Sequence, residues 1–159
     1  MQADELRIPT TAVSVHLAVG PHDTWYERGE LYVVADDHKR TEVEALSALL
    51  ESAIQFVPFR TGELLRLVAK AAIVYVTLPG ETQDADADVV LYDRQHRVEV
   101  LLIQGTRFEG LLLDSSPAAQ PRALDHLNSP LTFVRLWTAK ECVLIAKSQI
   151  STVTELREP

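Results

Sequence analysis

The chain has 159 residues, of which 47% are hydrophobic and 24% are charged, as in a globular protein with one ordinary domain or two small ones. Its formal net charge of −8 argues against a nucleic-acid partner, because neutralising phosphates requires clustered lysines and arginines. No apolar stretch approaches the roughly 18 residues needed to cross a bilayer, so no membrane span is expected.

The first elements along the chain are predicted to be a mobile segment and a β-hairpin. Residues 1–11 show no periodicity and are expected to be mobile. Residues 13–19 alternate apolar with small or polar side chains, Gly20-Pro21 interrupts the alternation, and residues 29–35 resume it. Two alternating runs around such a breaker predict a pair of antiparallel strands.

A short helix and three more strands are predicted next. Thr41 is followed three residues later by Glu44, a capping-box pattern that marks a helix start. The apolar residues that then recur on one helical face are Val43, Leu46, Leu49 and Leu50. Strand-like runs follow at residues 56–60, 64–69 and 73–78. The predicted element order for this part of the chain is ββαβββ.

The second half is predicted to repeat this order after an acidic linker. Residues 89–92 read as an extra strand, and residues 98–103 and 108–113 form a hairpin around a glycine turn. A helix opened by Pro121 follows. The last three strands are predicted at residues 133–138, 142–146 and 150–156.

The two halves match at a constant offset of 77 residues, from Phe56 to Phe133. Ten of the 27 positions from 52 to 78 are identical under this offset, where average residue usage gives roughly two. The chain is therefore an internal duplication. Its parts are a mobile N-terminal segment (1–11), a first repeat (12–79), an acidic linker (80–88) and a second repeat (89–159).

Each repeat is predicted to be a small, strongly bent antiparallel sheet capped by its helix, close to an SH3-like or Sm-like barrel. The expected fold class is therefore mainly β (α+β), with two tandem barrel-like units. A pattern in the second repeat resembles a family of uncharacterised bacterial domains: Leu127-Asn128-Ser129, Phe133-Val134-x-Leu136-x-Thr138 and Leu144-Ile145-x-Lys147-x-x-Ile150. The resemblance covers most of both repeats, supports the fold and implies no known activity.

No catalytic, cofactor-binding or metal site is predicted. Asp84, Asp86 and Asp88 alternate like the start of a calcium loop. Val89 and Gln95 occupy the positions at which such a loop needs glycine and glutamate, so a solvated acidic linker is the better interpretation. The five histidines lack the spacing of metal ligands, and the six glycines form no nucleotide-binding motif.

The single cysteine bears on both chemistry and location. Cys142 lies in an apolar strand and is interpreted as a small buried hydrophobe, since a nucleophile would need a base beside it. One cysteine cannot form an intramolecular disulfide. The chain also starts with acidic residues where a secretory signal would carry basic ones, so a cytoplasmic location is expected.

Candidate interaction residues lie where the two repeats differ. Arg60 in the first repeat corresponds to Trp137 in the second, and Arg135 stands two residues before that tryptophan. A tryptophan near an arginine on the less buried side of a strand is typical of interface anchors. The alternative is that Trp137 covers the helix or the other repeat. A second aromatic group, predicted in the first hairpin loop, consists of Trp25 and Tyr26.

Duplication without recognisable chemistry favours a non-enzymatic interaction, adaptor or assembly module in a bacterial cytoplasmic complex. A protein partner is expected, and free strand edges could also join copies into a homo-oligomer. One alternative is a small-molecule or regulatory sensor that binds between the repeats. Another is RNA binding by analogy with Sm-like barrels, for which the available basic residues are Arg60, Arg66, Lys70, Arg135, Lys140 and Lys147.

Overall fold

The computed structural model describes residues 10–21, 23–33, 41–79, 94–114 and 123–156. The chain divides into two compact units between Ile73 and Val74. The first unit contains β1 (Thr10–Ala18), β2 (Thr24–Tyr32), α1 (Glu42–Glu51), β3 (Phe56–Thr61) and β4 (Leu64–Ala69). The second contains β5 (Ile73–Pro79), β6 (Arg94–Leu102), β7 (Arg107–Asp114), α2 (Ala123–Leu127), β8 (Phe133–Trp137), β9 (Glu141–Ala146) and β10 (Ile150–Glu155).

The protein is mainly β, and the predicted order of strands and helices in each repeat is confirmed. Most strand boundaries differ from the prediction by one to five residues; β6, for example, begins at Arg94 rather than at residue 98. β1 starts at Thr10, so the last two residues of the segment expected to be mobile belong to a strand. The placement of Trp25 and Tyr26 in the hairpin loop is wrong, because pairing with β1 extends to Leu17 and His16 and draws both aromatic residues into β2.

In the first unit the strands are antiparallel neighbours in the order β1-β2-β3-β4, which does not close on itself. The predicted capping of α1 is confirmed, since the Glu44 N–H donates to Thr41 Oγ1 at 3.2 Å. The predicted apolar face of this helix is buried. The strand side chains that form the core of the unit are Val13, Val15, Leu31, Val57, Phe59 and Val68.

A glycine bends the sheet sharply at the same place in both repeats. A Cβ atom on Gly29 of β2 would lie 2.6 Å from the Phe59 ring and against the Arg60 carbonyl of β3. A Cβ atom on Gly110 of β7 would lie 2.8 Å from the Trp137 carbonyl carbon of β8. Only two residue pairs join the strands at each bend. Glycine is required there because no side chain fits between the crossing strands.

The second unit contains a strand that comes from the first repeat. Its strand order is β10-β6-β7-β8-β9-β5, and this order is also not closed. β5, the last strand of the first repeat, pairs antiparallel with β9 from Tyr75 opposite Ile145 to Pro79 opposite Glu141. β9 is therefore hydrogen-bonded on both sides, to β8 and to β5. Cys142, on β9, is fully buried as predicted.

One residue that is identical in the two repeats is a lysine with a structural role. The Lys70 ammonium donates to the Leu50 carbonyl at the end of α1, at 3.1 Å. Its counterpart Lys147 donates to the Ser129 carbonyl just after α2, at 3.0 Å. The Leu50 carbonyl lies in the last turn of α1 and lacks an intrahelical donor, which Lys70 supplies; Lys147 binds the segment that follows α2. Both lysines are thereby part of the shared fold.

Several predictions concern residues outside those that the structure describes. These are residues 1–9, the acidic linker 80–88 with Asp84, Asp86 and Asp88, the extra strand at 89–92, and Pro121. Among the described helices, none has the length and apolar character needed to cross a bilayer. The described residues also contain no cluster of three or more potential metal ligands.

Candidate interaction surface

One face of the β3–β4 hairpin presents apolar side chains to solvent. Residues directly opposite each other in antiparallel strands point to the same face. Arg60 opposes Leu65, Pro58 opposes Leu67 and Phe56 opposes Ala69, so these six residues share one face, which we name the outer face. Phe56 is 57% exposed, Leu65 is 60% exposed and Leu67 is 67% exposed. The outer face is a contiguous apolar surface with Arg60 at one end.

On the equivalent face of the second repeat, Trp137, Cys142 and Leu144 are buried. Trp137 opposes Cys142 and Arg135 opposes Leu144, as the 77-residue offset requires. Trp137 is 4% exposed and Leu144 is 2% exposed, whereas its identical counterpart Leu67 is largely in solvent. Since residue type, strand and position are the same, the difference in burial comes from what surrounds each strand. β9 pairs with a strand on each side, whereas β4 pairs, within the described residues, with β3 alone.

The backbone of β4 adds a second feature to this surface. Within the described residues, β4 pairs with β3 along one side and stands at the end of the strand order. Its sequence, Leu-Leu-Arg-Leu-Val-Ala, contains neither the proline nor the lysine with which sheets commonly protect an edge. Leu64, on the opposite face from Leu65, is also largely exposed. An edge of this kind can accept another strand.

The two aromatic residues predicted as a contact point lie on opposite faces of β2. Trp25 is half-buried, and the Arg66 guanidinium of β4 lies 5.0 Å from the centre of its ring. Arg66 also pairs with Glu27, with 3.3 Å between Nε and Oε2. These contacts show that the sheet bends far enough for side chains of β4 and β2 to touch on the face opposite the outer face. Trp25 thus contributes to the packing of the first unit.

Tyr26 faces outward and lies beside a histidine. Its hydroxyl accepts a hydrogen bond from Arg28 Nε at 2.7 Å, and its ring centre is 4.6 Å from that of His16. Burial lowers the pKa of His16 from 6.5 to about 4, because desolvation disfavours the charged imidazolium. His16 is consequently neutral at neutral pH.

The five predicted interaction residues therefore fall into different environments. Arg60 is exposed on the outer face, Arg135 is half-buried, and Trp137 is buried. The buried position of Trp137 agrees with the alternative that it covers other parts of the protein. Sequence reasoning missed the leucines that accompany Arg60. The available signal was the contrast between Leu64-Leu65 in the first repeat and Glu141-Cys142 at the matching places.

No known family model matches this chain, and no curated protein or solved structure shows significant similarity to it.

Proposed function

We propose that the protein is a non-enzymatic interaction or assembly module in a bacterial cytoplasmic complex, and that the outer face of β3–β4 is its contact surface. The observation that carries this proposal is the contrast between Leu67, which is exposed, and Leu144, which is buried at the equivalent place. Leucine side chains are stabilised by removal from water, by about 1.5 to 3 kcal/mol each when fully buried. An apolar face that is buried in one repeat and exposed in the other is suited to binding a partner protein.

The arrangement of chemical groups on this surface fits protein recognition. Its centre is apolar, with Phe56, Leu65 and Leu67, and Arg60 lies at its edge. Aromatic residues and arginine are enriched in protein interfaces, where a desolvated apolar centre is surrounded by polar groups. The free edge of β4 would add backbone hydrogen bonds to such a contact.

The proposal includes an SH3-like or Sm-like character for each repeat. The element order ββαβββ, the bend at Gly29 and the approach of Arg66 to Trp25 support it. These features describe a strongly curved sheet, the geometry on which small barrels are built.

The test compares native extracts that contain either the wild-type chain or the double variant Leu65→Lys/Leu67→Lys, each at its natural expression level. We expect the wild-type chain to elute in gel filtration of the extract well above the size of a monomer. The double variant should elute as a monomer, because two charges would have to be desolvated in the contact.

The matched control is Val19→Lys, which introduces a charge at an exposed apolar residue in the turn between β1 and β2. This variant should retain the wild-type elution. Elution of the wild-type chain as a monomer, or an unchanged complex with the double variant, would contradict the proposal.

A further inference from the structure

The β5·β9 pair joins the last strand of one repeat to the fourth strand of the next. Under the 77-residue offset, β10 is the counterpart of β5 and β4 is the counterpart of β9. In the described part of the chain, β10 pairs with β6 alone and β4 pairs with β3 alone. In the described residues, the edges of β4 and β10 therefore correspond to the edges of β9 and β5 that pair inside the molecule. The edges of β4 and β10 are not paired with each other.

We propose that β10 of one molecule pairs antiparallel with β4 of a second copy of this chain, in the register of the internal β5·β9 pair. This inference rests on the proposed function, because it names the partner of the outer face. The internal pair sets Val76 opposite Leu144 and Leu78 opposite Cys142. Shifted by the offset, the pairs between molecules are Thr152 with Val68, Val153 with Leu67, Thr154 with Arg66, and Glu155 with Leu65.

Three of the eight residues in these four pairs are identical to their counterparts in the internal pair. Leu67 and Val153 are identical to Leu144 and Val76, and Thr154 is identical to Thr77. Thr77 is buried in β5, whereas Thr154 is exposed in β10. Leu67, Val153 and Thr154 thus repeat, at strands that stand at the ends of the strand order, residues that are buried in the internal pair.

Charge is compatible with this pairing. The one charged residue of β4 is Arg66, and the one charged residue of β10 is Glu155. In this register Arg66 would lie opposite Thr154 and Glu155 opposite Leu65, so no two like charges face each other. The net charge of −8 on each molecule opposes association at long range, so added salt should strengthen a contact made by leucines and backbone groups.

The proposed contact joins two different surfaces and is therefore head-to-tail. Each molecule would donate one β10 and accept one β10 at its own β4, so association can continue beyond a dimer. A symmetric dimer of two β4 edges would use the same leucines without involving β10. This difference allows the two arrangements to be separated by experiment.

The test uses sedimentation velocity of the purified full-length chain over a range of micromolar concentrations. Thr154→Arg should disable β10, because it would place an arginine opposite Arg66 in the predicted register. Leu67→Lys should disable β4. We expect the wild-type chain to self-associate, and each variant alone to do so at least about tenfold more weakly, the scale set by one buried leucine.

An equimolar mixture of the two variants is the decisive sample. The Leu67→Lys molecules retain a functional β10 and the Thr154→Arg molecules retain a functional β4, so the mixture should form dimers and nothing larger. Both substituted positions are exposed, and unfolding temperatures close to the wild-type value would show that the variants fold. Val19→Lys serves again as the matched control and should associate like the wild-type chain.

Two results would overturn the proposal. Undiminished association of Thr154→Arg would show that β10 takes no part and would favour symmetric β4 pairing. A wild-type chain that stays monomeric at all concentrations would exclude self-association. If native extracts then still show a complex that requires Leu65 and Leu67, the proposed function stands with a different partner; if they show none, both proposals fail.

Discussion

The contrast between Leu144 and Leu67 can be measured directly as a difference in stability. Replacing leucine by alanine removes three carbon atoms, each worth about 0.8 kcal/mol when transferred from water to an apolar interior. Leu144 is 2% exposed, so Leu144→Ala should lose nearly the full transfer energy of about 2.4 kcal/mol, with a cavity penalty that brings the cost to about 3 kcal/mol. Leu67 is only one-third covered, and Leu67→Ala should cost about 0.8 kcal/mol.

Urea unfolding of both variants, followed at a protein concentration where the chain is monomeric, checks this expectation. The two free energies of unfolding should differ by about 2 kcal/mol although the substitution is the same and the sequence positions are equivalent. Costs that agree within about 0.5 kcal/mol would refute the reasoning, since they would show that β4 and β9 are equally covered in one molecule. A cost of Leu67→Ala that rises with protein concentration would instead report burial on association.

Three further predictions concern the local structure. Gly110→Ala should destabilise the second unit by several kcal/mol in thermal unfolding, because its Cβ would overlap the Trp137 carbonyl, whereas Gly62→Ala, at a turn with open space around it, should cost about 1 kcal/mol for its positive φ of 58°. Thr41→Ala should lower the free energy of unfolding by about 1 kcal/mol through loss of the α1 cap. Thr41→Ser retains the capping hydroxyl and should keep the wild-type free energy of unfolding. The pKa of His16 is about 4 in the folded state and 6.5 in the unfolded state. The contribution of neutral His16 to the free energy of unfolding should therefore be complete above pH 6.5 and disappear as the pH falls from 6.5 to 4. His16→Gln should remove this part of the pH dependence, and an NMR titration of His16 with a midpoint near 6.5 would contradict the prediction.

Short-range patterns were sufficient to predict the elements and the duplication. Thr41 and Glu44 form their cap within one helical turn, and the three strands that close each repeat follow alternating or continuous apolar runs. The 77-residue offset is a property of the residues alone. By contrast, Trp25 and Tyr26 were misplaced because strand length depends on how far the pairing partner extends, and this is set by β1.

The sequence indicated only part of the candidate surface. The difference between Arg60 and Trp137 pointed to one position on β3 and β8, and strand alternation placed these residues on the face opposite Val57 and Val134. It did not distinguish a covered face from an open one. Leu67 and Leu144 are identical residues in matching strands, so no local pattern could separate them.

What the amino-acid sequence determined by itself is therefore the repeated unit, since strands, helices and caps arise from residues close together along the chain. What only the tertiary structure decided is which strands of the two repeats pair with each other: β5, encoded in the first repeat, pairs with β9 of the second. Pairing between distant strands depends on which edges meet in space, and two equivalent edges have equal local preferences. β9 therefore has a paired strand on each side, whereas β4 has one on a single side in the part of the chain that the structure describes.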